Sequence, residues 1–167
     1  FFHIDPMHTD ESTPPPLGLG RLVPVPDTDN CLDLQQLLDL EQSFRRWAKS
    51  TKRPDHRDSR DRILLVFLLI RYTGARLNEV LSLDLQKDFN GDHNTVHFCK
   101  RQSTTDSSYR EVQIPETISR EIQALTANAT SRWPGGSILR IDPAHVRRKF
   151  YEQALAICQQ VLGPEHP

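Results

Sequence analysis

Cysteine, methionine and glycine are all scarce in this 167-residue chain, which holds three, one and seven of them. The cysteines, Cys31, Cys99 and Cys158, stand far apart without C-x-x-C spacing, and their odd number argues against a disulfide framework. They read as small hydrophobes. The glycines form neither a Walker loop nor a dinucleotide fingerprint, and no cluster of residues has metal-ligand spacing. No nucleotide or metal cofactor is therefore expected. Long hydrophobic runs are missing too: the longest, residues 63–70, has eight residues, against the roughly 20 that cross a bilayer. The amino terminus lacks the charged-then-apolar layout of a secretory signal. These absences leave a cytoplasmic protein without a membrane partner as the expectation.

What is present suffices for one domain. With 37% hydrophobic and 26% charged residues, the chain can bury a real core. Its net charge of -1 hides a strong asymmetry. Residues 1–42 carry one basic residue, Arg21, against eight acidic ones, a net of -7; residues 43–167 carry the other 20 basic and 14 acidic residues, a net of +6. Residues 1–30 are rich in proline and lack any helical or alternating period, so they read as an extended or disordered leader. Within it, residues 1–6 precede the single methionine, Met7, and look like an appended remnant. Residues 31–167 form the expected domain, which is basic. Its densest patch is Arg45, Arg46, Lys49, Lys52, Arg53, Arg57, Arg60 and Arg62. A solvated helix end accounts for such a patch unless it shares a face with a dedicated phosphate group.

The periodicity predicts an α+β fold, mainly helical with a small three-stranded antiparallel sheet. A first helix runs from residue 32 to about 49, with Asp29 or Asn30 as its N-cap. A second begins near Ser59 and carries the apolar run to Tyr72, where Gly74 suits a left-handed C-cap. A short third helix covers residues 76–82. Strands are expected at residues 83–89, 95–101 and 110–114, the last two joined by the polar loop 102–108. Another helix covers residues 116–128, and Trp133-Pro134-Gly135-Gly136 makes a turn. The last helix starts with Asp142 as N-cap and Pro143 at the first position, and ends before Gly163.

The most informative segment is Thr73-Gly74-Ala75-Arg76-Leu77-Asn78-Glu79-Val80. A buried-looking helix breaks there at a glycine and restarts on an arginine, with a glutamate three residues on. An anchored turn of this kind presents a fixed guanidinium to a phosphate, whose oxygens match its planar donors. The segment resembles the T-G-x-R-x-x-E box of the tyrosine recombinases, the phage integrase family, and the similarity in element order extends over roughly residues 32–167. The resemblance implies that Arg76 binds the non-bridging oxygens of a scissile phosphate and that Glu79 supports the turn. It also implies that Lys100, on the hairpin after the box and beside Arg101, protonates the leaving 5' oxygen. The last helix, with Arg147, Arg148 and Lys149, resembles the family's helix against the major groove. Adjacent residues point different ways around a helix, so at most two of these three cations should share a groove. Double-stranded DNA is the implied partner, with Arg45, Arg46 and Lys49 as further contacts, and an oligomer on DNA is compatible with it.

Departures from the family pattern bear on activity. The family's His-x-x-Arg box and nucleophilic tyrosine are expected after the last helix, whereas Tyr72, Tyr109 and Tyr151 all precede that place. This chain alone is thus expected not to cleave DNA, since losing part of a catalytic unit removes nearly all of its rate. Two other readings stand beside a recombinase portion: a DNA-binding regulator that reuses the fold without chemistry, and a helical protein-interaction domain in which the box is coincidental.

Overall fold

A computed structural model describes residues 32–99, 109–130, 133 and 138–162. Lys100, Arg101, the loop to residue 108, Gly163, the leader and most of the expected Trp133-Pro134-Gly135-Gly136 turn lie outside the described residues. The elements in order are α1 (Leu34–Lys49), α2 (Pro54–Thr73), α3 (Leu77–Leu81), α4 (Leu85–Asp88), β1 (Phe89–Asn90), β2 (Thr95–Cys99), β3 (Tyr109–Gln113), α5 (Glu116–Thr130) and α6 (Pro143–Leu162). Helices dominate, and the three strands form one antiparallel sheet in the order β1-β2-β3. Among the described residues no helix is long and apolar enough to cross a membrane.

Helix α2 is the central element. Ile63 to Leu69 are all buried, so this stretch is apolar all round and must be covered on every side. Helices α1, α3 and α5 pack against it. Phe44 of α1, fully buried, stacks on Phe67 of α2 with ring centroids 4.4 Å apart. Phe150 of α6 meets Phe44 edge-on at 5.1 Å, and Trp47 meets it at 6.2 Å. Four aromatic rings thereby join three helices in geometries that favour ring–ring attraction.

Several boundaries differ from the sequence reading, each for a local reason. The N-cap of α1 is Asp33, not Asp29 or Asn30: its Oδ1 accepts the Gln36 N–H at 2.8 Å, and Gln36 Oε1 accepts the Asp33 N–H at 2.9 Å. This reciprocal pair satisfies two donors that a helix start leaves open. Helix α2 starts at Pro54, five residues before Ser59, because proline suits the first helical position whatever polar residues follow. Residues 83–88 do not form a strand. Asp84 accepts the Gln86 N–H at 3.1 Å while Asp88 accepts the Asp84 N–H at 2.8 Å, and these local bonds curl the chain into α4, leaving only Phe89 and Asn90 to pair. The start of α6 is as expected, with Asp142 Oδ1 accepting the Ala144 N–H at 3.1 Å.

Candidate nucleic-acid interface

In the Thr73-to-Glu79 turn the backbone donors of Gly74, Ala75 and Arg76 are each satisfied internally. Gly74, at φ 64°, adopts the left-handed conformation and donates its N–H to the Ile70 carbonyl at 3.0 Å. The Thr73 hydroxyl donates to the Leu69 carbonyl and accepts the Ala75 N–H at 3.2 Å. Glu79 Oε2 accepts the Arg76 N–H at 2.7 Å. Threonine, glycine and glutamate therefore serve the main chain, and Ala75 is buried beneath it. Arg76, at the N-cap of α3, is exposed, and its guanidinium has no hydrogen-bond or ion-pair partner among the described residues. No heavy atom lies within 4 Å of the place a Cβ would take on Gly74. Gly74→Ala should therefore cost only the left-handed strain, about 1–2 kcal/mol, in urea unfolding; a larger loss would mean that the turn is also closed sterically.

The sheet brings a second cation to this turn. Arg110 on β3 pairs with Phe98 on β2, and its guanidinium lies 4.7 Å from the Phe98 ring centroid. Its Nη2 sits 3.6 Å from Glu79 Oε2. That nitrogen is buried and makes no hydrogen bond. Glu79 so links the Arg76 backbone to Arg110, and Glu79, Phe98 and Cys99 line a common pocket of about 280 Å³. Lys100 follows Cys99 directly in sequence. Arg110 drew no attention in the sequence because its significance depends on strand register; the signal was its place opposite an aromatic residue on the neighbouring strand.

A buried carboxylate holds the end of α2 that carries the turn. Glu41 is 4% exposed and accepts hydrogen bonds from Arg71 Nε at 2.9 Å, from the Tyr72 hydroxyl at 3.0 Å and from Arg45 Nη1. Burial pushes its carboxyl pKa up, but the hydrogen bonds from Arg71, Arg45 and Tyr72 together prevail and hold it below the usual carboxylate range. Arg45 also makes a two-pronged bond to Glu121 of α5, at 3.0 and 2.8 Å. The Glu121 bond, opposed by burial and joined by Glu41, raises the Arg45 pKa further. Burial and the Glu41 contact push the Tyr72 phenol up.

The expected DNA contacts thus separate into different groups. Arg45 is committed to internal ion pairs. Arg60 is a brace as well, donating to the Trp47 carbonyl at 2.8 Å and the Ser50 hydroxyl at 2.7 Å. Buried Arg62 donates to the carbonyls of Ile138 at 2.6 Å and Arg140 at 3.0 Å and stacks on Trp133 at 4.0 Å. Burial lowers its pKa. Arg46 and Lys49 are exposed on α1, and Lys49 borders a cleft of about 460 Å³ that also contains Asp58, Asp61 and Glu121. On α6, Arg147 is exposed without a partner among the described residues, Arg148 Nη2 donates to His145 Nδ1 at 2.8 Å, and Lys149 Nζ donates to Glu152 at 2.7 Å. The cations around the α1–α2 turn and Arg76 flank opposite ends of α2. From Arg57 to Thr73 is 16 residues, about 24 Å at 1.5 Å per residue.

Among the described residues no group of three or more His, Cys, Asp or Glu side chains could hold a metal ion. Comparison with known proteins adds nothing to the geometry: no family model, no curated protein and no solved structure matches the chain.

Proposed function

We propose that this chain is the DNA-binding portion of a tyrosine-recombinase-like domain, of the phage integrase kind, and that Arg76 grips a backbone phosphate of duplex DNA. The observation that carries this reading is the Arg76 turn, in which the Thr73 and Glu79 side chains support the backbone and the Arg76 guanidinium is left exposed and without a partner among the described residues. A guanidinium carried on an anchored backbone offers parallel donors to two phosphate oxygens without first giving up an ion pair. Arg110 stands beside the same turn with its charge offset by Glu79, so Glu79 does not leave an unpaired negative charge there. Lys100 and Arg101 follow Cys99 in sequence and lie outside the described residues, and Arg147 supplies a separate exposed cation without a partner among the described residues. Site-specific recombination or integration is the process this reading points to.

The phosphate contact serves binding in this chain. Strand cleavage needs a nucleophile, and the Tyr72 phenol, half-buried and donating its proton to the Glu41 carboxylate with its pKa raised, is a poor one. A regulator that binds DNA on the same fold would use the same grip. Fluorescence anisotropy with a labelled duplex at low salt tests it. Arg76→Ala should weaken binding at least about tenfold, the loss of one charge-assisted contact of about 1.5–3 kcal/mol, and Lys100→Ala and Arg147→Ala should each weaken it further. Equal affinity for the parent and all three variants would rule out binding through these residues.

A further inference from the structure

We infer that a further pocket, where the end of α1 meets the first turns of α2 and α6, binds a phosphoryl group. It is an open cleft of about 290 Å³ lined by Trp47, His56, Ser59, Arg60, His145 and Lys149. Every polar group on this wall can donate a hydrogen bond and no carboxylate lines it. Two other clefts differ in this respect, one bordered by Asp58, Asp61 and Glu121 and the other by Glu79 and Asp88.

Enough donors remain after the internal bonds are counted. Arg60 gives Nη1 to the Trp47 carbonyl and the Ser50 hydroxyl, and its carbon Cζ lies 5.1 Å from the Trp47 ring centroid. Those bonds fix the guanidinium in place and leave its Nε and Nη2 protons unused. Lys149 gives one proton to Glu152 and keeps two. Arg148 can only donate, so in the neutral ring His145 Nδ1 accepts from it and the ring proton sits on Nε2, a further donor. Ser59 adds a hydroxyl. His56 is 3.9 Å from Asp55. The acids facing the group are Asp55 and Glu152, against Arg60, Arg148 and Lys149. Charge-assisted donors from two helices, Arg60 on α2 and Lys149 on α6, joined by the Ser59 hydroxyl and the imidazoles, suit a tetrahedral oxyanion better than a planar carboxylate, and Trp47 offers apolar cover for the remainder of a phosphate ester.

This site lies toward the end of α2 away from Arg76, so it stands or falls independently of the proposed grip. The test is NMR of the full chain titrated with inorganic phosphate against chloride at matched ionic strength. The imidazole signals of His56 and His145 and the indole signal of Trp47 should shift saturably with phosphate only. Lys149→Gln, which keeps most of the length of this half-buried side chain and removes its charge, should weaken this response at least fivefold, whereas Arg76→Ala should leave it unchanged. If a short duplex then displaces phosphate, the natural source is a nucleic-acid backbone; if only a small phosphate monoester does, the source is a free ester. Shifts that chloride reproduces, or a response that survives intact in both Lys149→Gln and His145→Gln, would overturn the assignment.

Discussion

Replacing Glu41 by alanine is expected to destabilise the domain by about 3 kcal/mol, because it strips the partner from cations that are out of reach of most solvent. Arg71 would lose its only ion pair among the described residues, its side chain being 15% exposed, and the Tyr72 hydroxyl would lose its acceptor. Arg45 would be protected in part by Glu121, which places the cost at the lower end of the range for a broken buried pair. Glu41→Gln should lose less, since the amide oxygen still accepts one hydrogen bond. Urea unfolding followed by tryptophan fluorescence measures both. The same carboxylate imposes a pH dependence. Its folded pKa is depressed, so its contribution is complete above the unfolded carboxyl value of about 4.3 and is lost as pH falls through the lower folded value. The gap between the parent and Glu41→Gln should therefore be constant near neutrality and shrink only in acid. Because Glu41 holds Arg71 and Tyr72, just ahead of Gly74, its loss should also loosen the Arg76 turn.

Phe44→Ala should cost about 3–5 kcal/mol, the range for deleting a fully buried aromatic side chain. Phe44 touches rings from both neighbouring helices, Phe67 on one side and Phe150 on another, so the vacated volume cannot be filled by moving a single element. A double-mutant cycle with Phe67→Ala separates the pair from the cavity: the stacked geometry predicts a coupling of about 0.5–1.5 kcal/mol, and strict additivity would contradict a direct ring contact.

The residues show why some of this was legible in the sequence and some was not. Gly74 announced the left-handed stop of α2, and Asp142 with Pro143 announced the start of α6, because caps are local chemistry. The apolar run 63–70 marked the central helix for the same reason. Pro54 was a start signal too, but the charged residues after it lack an apolar period, so the helix was read as beginning near Ser59. Residues 83–89 carry alternating leucines that suggest a strand, and the Asp84 and Asp88 side chains outweigh that pattern with bonds to nearby backbone. Side-chain use was the hardest to read. Arg45, Arg60, Arg62 and Arg76 look alike in sequence, yet partners up to 78 residues away make the first three internal braces. Only tertiary contact separates a brace from a free guanidinium.

The most direct measurement of the central claim is the salt dependence of duplex affinity for the parent chain and for Arg76→Ala. Phosphate contacts release condensed counterions, so the logarithm of affinity should fall linearly with the logarithm of salt concentration. The account predicts such a line for the parent and a slope shallower by about 0.9 for Arg76→Ala, one phosphate contact fewer. Affinity undetectable at low salt, or identical slopes for a folded Arg76→Ala variant and the parent, would contradict it.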